Sequence, residues 1–237
     1  MIPARSGSMG IRDKNIVEIE GFPLLAYSIA AASLCRVIDR VIVSTNSERY
    51  AKIAKSFGAE IPFLRPESIS QGDSTDIEYL RHGLQELIKM DGYAPEFVVL
   101  LRPTTPVRNP QIIARAVEKI YGKEEISAVV SVSLSAVCPY KWMQIKENGY
   151  LAPLFPHMKS DEVNLPRQSF PDTYIPNGYV DVIKSENVLL HNYVYGEKAV
   201  PYPIEGNTVD IDSIDDLSTI CKGVIRESEL FHYLKLL

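Results

Sequence analysis

The feature of this 237-residue chain that most restricts its fold is an alternation between short apolar runs and amphipathic stretches, sustained as far as residue 132. The runs at 40–44, 97–101 and 128–132 are rich in Val, Ile or Leu and bounded by polar residues, the mark of strands buried on both faces. A further short strand is read at 60–64. Between these runs the spacing predicts helices. One covers 22–35, with Leu25, Ile29 and Ala32 on a stripe and Pro23 tolerated in the first turn. A second covers 48–57, capped by Ser47 and ended by Gly58. A third starts at an Asp73 or Ser74 cap and carries Ile77, Leu80, Leu84, Leu87 and Ile88 on one face. A fourth covers 111–121, opened by Asn109 and Pro110. Strand alternating with helix predicts an α/β fold: a doubly wound, mainly parallel sheet with helices on both faces.

The pattern changes near Ser133. Prolines gather at 139, 153, 156, 166, 171 and 176, aromatic residues interleave with them, and helical periodicity is lost. Residues 137–176 read as an extended arm inserted into a single domain that spans 1–237. Strands resume at 179–183 and 199–203, and a closing helix is expected over 213–230. At the other end only Met1 and Ile2 precede a loop, whereas a first buried strand usually runs four to six residues; the start of that strand is expected upstream of Met1.

Composition removes several classes of function. Twenty-five basic residues against 30 acidic ones give a net charge of −5 with no basic tail, a poor match to nucleic acid or an anionic membrane. No apolar run approaches the ~20 residues that span a bilayer, and the opening residues lack a secretory h-region. Cys35, Cys138 and Cys221 lie far apart, which suits reduced thiols in a cytoplasm and excludes a disulfide framework or a cysteine-based zinc site.

Four segments carry possible chemistry. In the loop at 3–15, Gly7 and Gly10 allow close backbone approach, and Arg5, Arg12 and Lys14 supply cations; such a loop after a first strand suits a polyphosphate. It has neither P-loop nor dinucleotide spacing, and a solvated turn is the plain alternative. In 208–213, Asp210 and Asp212 fall on one face if the segment is a strand, giving paired carboxylates for Mg²⁺. Equally, Asp212 or Ser213 caps the final helix, with Asp215 and Asp216 complementing its dipole. The loop 101–108 places Arg102, Thr104 and Arg108 after the best central strand, where open α/β sheets bind ligands. Arg167 and Gln168 stand in the arm, followed by Asn177-Gly178, a turn signal.

These segments, with RVIVST and FLRP between them, together resemble the N-acylneuraminate cytidylyltransferases. The matching stretches are IPARSGSMGIRDKN, RVIVST, FLRP, LRPTTPVR, PRQSFPDTYIPNG and VDIDSIDDL, in that order from residue 2 to residue 217. The resemblance implies a nucleotidyltransferase of Rossmann-like fold in which a sugar hydroxyl attacks the α-phosphate of CTP, giving a CMP-sugar and pyrophosphate. It implies that Arg5, Ser8, Lys14 and Asn15 line the phosphates, and that Arg65 and the Ser74 backbone sit by the base. Arg102, Thr104, Lys141, Arg167 and Gln168 then face an acidic sugar, Asp210 and Asp212 hold Mg²⁺, and Arg5, Lys14 and Asp210 act in catalysis. It also implies a homodimer in which the arm reaches over the partner's site, and a place in surface glycan synthesis.

The chain departs from that family's pattern at several positions. Met9 stands where lysine is usual, Arg102 where glutamine is usual, Ile175 where arginine is frequent, and Tyr179-Val-Asp181 where Ala-Ile-Tyr is frequent. A different sugar or nucleotide, or a weakly active nucleotide-binding relative, are the alternatives these changes raise.

Overall fold

The computed structural model describes residues 1–7, 10–206, 208–220 and 222–237. Ser8, Met9 and Cys221 therefore lie outside the described residues. Strand β1 (Ile2–Pro3) runs parallel to β4 (Val43–Ser44), with Ile2 opposite Val43, and Ile42 bridges in parallel to Glu60. The expected strand at 60–64 is thus a single bridge. On the other side of β1, the Met1 amine donates to the Val99 carbonyl at 2.6 Å and the Met1 carbonyl accepts from Leu101 N–H at 3.1 Å. These bonds join β1 to β5 (Phe97–Leu100), and the sheet continues as β5, β9 (Tyr174–Lys184), β6 (Ala128–Leu134) and β10 (Ala199–Pro203). β10 is parallel to β6, whereas β9 is antiparallel to both of its neighbours. The sheet is therefore mixed, parallel except at β9. A cavity of about 530 Å³ opens between β4 and β5 beyond Met1, with Ile38, Val41, Tyr93, Phe97 and Val99 in its wall.

The expected helix at 22–35 divides. Phe22–Pro23 forms β3, a short hairpin partner of β2 (Glu18–Ile19), and α1 covers Leu24–Leu34. Every residue of α1 from 24 to 32 is buried, so it has no solvated stripe. Its almost wholly apolar sequence demands cover on all sides, and the sheet, α2 (Glu48–Ser56), α4 (Pro110–Ile120) and α7 (Glu229–Leu234) supply it. Ser47 caps α2 by accepting from Tyr50 N–H, and Asn109 caps α4 by accepting from Gln111 N–H, as the spacing predicts. Helix α3 (Asp76–Asp91) is capped by Thr75, not by Asp73 or Ser74. The Thr75 N–H and hydroxyl both donate to the Glu78 carboxylate, while the Ser74 hydroxyl accepts from Gln71 N–H in the preceding turn.

The closing helix is three short ones, α5 (Ile214–Thr219), α6 (Lys222–Arg226) and α7. Ser213 and Ser228 each cap a new start, and the extended backbone of Ile220 breaks the continuation. Asn177-Gly178 is not a hairpin turn. It lies inside β9, where residues 177–180 face only Ser131 of β6 because Val130 pairs with Asp181 and Val132 with Pro176. Gly178 supplies the positive φ this bulge needs, and the Asn177 side chain holds it by accepting from Tyr179 N–H and donating to Ser133 Oγ.

The proline-rich stretch leaves the sheet after Leu134 and returns at Tyr174, which pair with each other. Within it, β7 (Met143–Ile145) and β8 (Leu151–Pro153) form a hairpin, and Tyr140 stacks on Phe170 with centroids 5.5 Å apart. Trp142, Ile145, Tyr150 and Leu151 remain exposed. Cys35 and Cys138 are buried free thiols. Among the described residues no helix is long and apolar enough to cross a membrane.

Candidate active site

The loop after β1 is held open by side chains from other elements. Asn46, two residues beyond β4, accepts from Ser6 N–H at 2.9 Å and donates to Glu67 at 2.8 Å. Asn15 is buried and donates from its amide to the Arg5 carbonyl at 2.9 Å. Asp13 takes a left-handed conformation and accepts from the Tyr50 hydroxyl at 2.8 Å. Among the described residues, Arg5 itself donates locally, to the Gly7 carbonyl at 3.0 Å.

The C-terminal acidic segment lies against this loop. Lys14 Nζ meets Asp212 Oδ1 at 2.8 Å, and a Cβ built on Gly10 would stand 2.9 Å from the Asp212 carbonyl oxygen. Residues 208–212 form neither helix nor strand. Ile211 is buried and its N–H donates to the Thr104 carbonyl at 2.8 Å, which leaves Asp210 and Asp212 on either side of it, both exposed. The capping reading is the one the structure bears out: Ser213 and Asp216 form the capping box of α5, and the Asp212 N–H also donates to Asp216 Oδ2 at 3.0 Å. Among the described residues no group of three acidic, His or Cys side chains is arranged for a metal. Two accessible carboxylates suit Mg²⁺ nonetheless, since that ion keeps several waters and takes the rest of its ligands from phosphate oxygens.

The loop 101–108 is fixed by Arg108, which is 3% exposed. Its guanidinium donates to the Tyr179 carbonyl (2.6 Å), the Arg102 carbonyl (2.6 Å), Ser28 Oγ (2.8 Å) and the Gly178 carbonyl (3.0 Å), and also to the Thr105 carbonyl. Burial pushes it down to about 9, so it keeps its charge at neutral pH. Arg108 therefore ties the β5 loop to the β9 bulge. Arg102 reaches the other way, with Nη1 2.6 Å from Asp181 Oδ2 and Nη2 2.6 Å from Asp76 Oδ2. The Tyr195 hydroxyl donates to the same Asp181 oxygen at 3.1 Å.

Arg65 is buried. Its guanidinium donates to Ser44 Oγ and the Ser44 carbonyl and lies 4.5 Å from the centroid of the Tyr79 ring; burial, its main influence, pushes it down to about 10. Lys141 donates to the Leu165 carbonyl, and Arg167 to the Phe170 and Pro171 carbonyls and to Asp172. Gln168 is exposed. No hydrogen bond among the described residues joins these three arm residues to the loop at 5–14.

One chain thus gathers Arg5, Lys14, Asn15, Thr104, Asp210 and Asp212, and leaves Lys141, Arg167 and Gln168 engaged in or exposed on the arm. Asp76, Tyr195 and the anchoring role of Arg108 escape sequence reading, whereas Asp181 is among the departures from the family pattern that the sequence already marks. Asp181 alone leaves a signal, as an acid inside the apolar run 179–183.

A mixed sheet whose first strand opens into a cation-bearing, glycine-containing loop, with the Asp212 carboxylate folded against it, has the build of an α/β protein that binds an anionic ligand at the carboxyl end of its strands. Comparison with known proteins narrows the class. The sequence profile of the family described as Cytidylyltransferase matches residues 1–142. The N-acylneuraminate cytidylyltransferase of Escherichia coli O18:K1:H7 is 31% identical over 90% of this chain, and the chain spans about half (48%) of that protein's length. The CMP-N,N'-diacetyllegionaminic acid synthase of Legionella pneumophila is also 31% identical, over 90% of each chain. A solved CMP:2-keto-3-deoxy-manno-octonic acid synthetase complexed with CTP superposes with a TM-score of 0.64 over 95% of this chain and 97% of its own, at 11% identity, and so shows the fold. The chain belongs to the cytidylyltransferase family that includes the N-acylneuraminate cytidylyltransferases.

Proposed function

We propose that the protein transfers a cytidylyl group from CTP to a hydroxyl of an acidic, nine-carbon, sialic-acid-like sugar. The sugar oxygen bonds to the α-phosphorus, the bond from that phosphorus to the β-phosphate oxygen breaks, and pyrophosphate leaves. The observation that carries this reading is the closure of the 5–14 loop on the 210–212 segment through Lys14 and Asp212. It brings cations for a triphosphate and carboxylates for its counter-ion to one place.

In this reading Arg5, Ser8, Lys14 and Asn15 serve the phosphates, with Asn15 acting by fixing the Arg5 backbone. Arg65 and Ser74 border the base, Arg65 as a buried support and Ser74 through its backbone. Arg102 and Thr104 border the sugar from this chain. Asp210 and Asp212 would hold Mg²⁺, which would supply neutralisation of phosphate charge. Asp210, or a water bound to that ion, would take the proton of the attacking hydroxyl.

The arm makes the site a shared one. Exposed Trp142, Ile145, Tyr150 and Leu151 favour burial against a second copy, which would bring that copy's Lys141, Arg167 and Gln168 to the sugar. CTP as donor and buried free thiols favour the cytoplasm as the site of a reaction that feeds surface glycan or lipopolysaccharide synthesis. The test is pyrophosphate release with CTP, Mg²⁺ and a panel of nonulosonic acids, alongside the mass in solution. Turnover by a dimer is expected; a folded protein silent across the panel rejects the reading.

A further inference from the structure

Arg102 is the cation that a substrate carboxylate would be expected to meet at the end of β5, yet its charge is already answered. Asp181 and Asp76 each stand 2.6 Å from one of its terminal nitrogens, so one guanidinium faces two carboxylates and the set carries a net charge of −1. The pair of acids, with Tyr79, outweighs burial and holds the Arg102 proton more tightly than usual. A sugar carboxylate arriving here meets a negative set and is repelled.

Asp181 adds a second observation. It is 1% exposed on β9 between the fully buried Val180 and Val182. Its Oδ2 accepts from Arg102 and from the Tyr195 hydroxyl, while Oδ1 has no partner among the described residues. A buried carboxylate oxygen left unmatched is an acceptor in want of a donor. Arg102 and Asp76, beside it after β5 and at the start of α3, are partly accessible, at 26% and 38%. A Cβ built on Gly178 would stand 3.5 Å from Thr105 Oγ1 and 3.7 Å from Arg102 Cδ, so the glycine leaves the space beside both side chains unfilled.

We infer that Asp76, Arg102 and Asp181 form the acceptor-specificity determinant, selecting a sugar that presents a hydrogen-bond donor, and not its carboxylate, to this end of β5. The inference rests on the cytidylyl-transfer reading above and goes beyond it by naming what the acceptor must carry. An amide N–H and a hydroxyl share the required chemistry, and a hydrogen in their place lacks it. Since Arg102 is held by two acids, it orients the carboxylates and does not itself bind an anion.

The experiment compares nine-carbon 2-keto acids that differ at one carbon, bearing an acetamido group, a hydroxyl or a hydrogen, taking each acetamido-bearing carbon in turn. The readout is kcat/KM for pyrophosphate release with CTP and Mg²⁺. The wild-type protein should prefer a donor-bearing acid to its deoxy counterpart by about 10- to 100-fold at one of these carbons, the scale of a hydrogen bond to a charged group. Whether the acetamido or the hydroxyl arm is faster identifies the donor. The double variant Arg102→Gln/Asp181→Asn should lose most of that preference, with KM for CTP unchanged. Asp76→Asn, at a partly exposed position, provides the same reading if the double variant does not fold. Equal turnover of donor-bearing and deoxy acids by the wild type, or an undiminished preference in a folded variant, overturns the inference while leaving cytidylyl transfer standing. No turnover with any acid overturns the functional reading and this one with it.

Discussion

Lys14 and Asp212 are 198 positions apart in the chain and 2.8 Å apart in space. Asp212 is 73% exposed, so the pair contributes within about 1 kcal/mol to stability. Its value lies in what it positions. Lys14→Ala should lower kcat/KM for pyrophosphate release by about 10²- to 10³-fold, the scale of one lost electrostatic contact to a transition state. Thermal unfolding of the ligand-free protein should shift by no more than about 4 °C. Unfolding at a much lower temperature would make Lys14 a structural residue instead.

Gly10 measures how close the same two segments must come. Alanine there would place a methyl group 2.9 Å from the Asp212 carbonyl, a backbone atom that cannot swing aside. Gly10→Ala should open the loop and reduce kcat/KM by about 10- to 100-fold, with little change in the unfolding midpoint. Unaltered kinetics would show that the loop tolerates the displacement.

Arg108 has the opposite balance. Its substitution leaves a cluster of buried carbonyls without donors, among them those of Arg102, Gly178 and Tyr179. Arg108→Met should destabilise the fold by about 3 kcal/mol or more in urea unfolding. Arg108→Lys should recover only part, because one ammonium cannot span a planar fork of acceptors. Equal stability of the lysine variant and the parent would contradict this account of the loop.

Local signals survived folding well. The caps at Ser47, Asn109 and Ser213 and the strand at 97–101 depend on neighbours within a few residues, and each appears within a residue or so of its expected place. Features that need a distant partner did not declare themselves. Asn177-Gly178 reads as a turn until β6 is laid beside it, when it becomes a bulge opposite Ser131. The acids around Arg102 lie 26 and 79 positions away, so no spacing pattern could join them. The loop at 3–15 and the acids at 210 and 212 were visible as chemistry, but their meeting depends on Ile211 N–H reaching Thr104.

The arm leaves and re-enters the fold through a closed neck: Leu134 pairs with Tyr174, and Ser135 N–H donates to the Thr173 carbonyl at 2.8 Å. Everything between those residues is a loop whose ends the sheet already holds together. Because closure entropy grows only slowly with loop length, such a segment can be lengthened, trimmed or exchanged at little cost to the sheet. That makes the arm a graftable cassette, whose length and sequence can change while the sheet and the loop at 3–15 stay as they are.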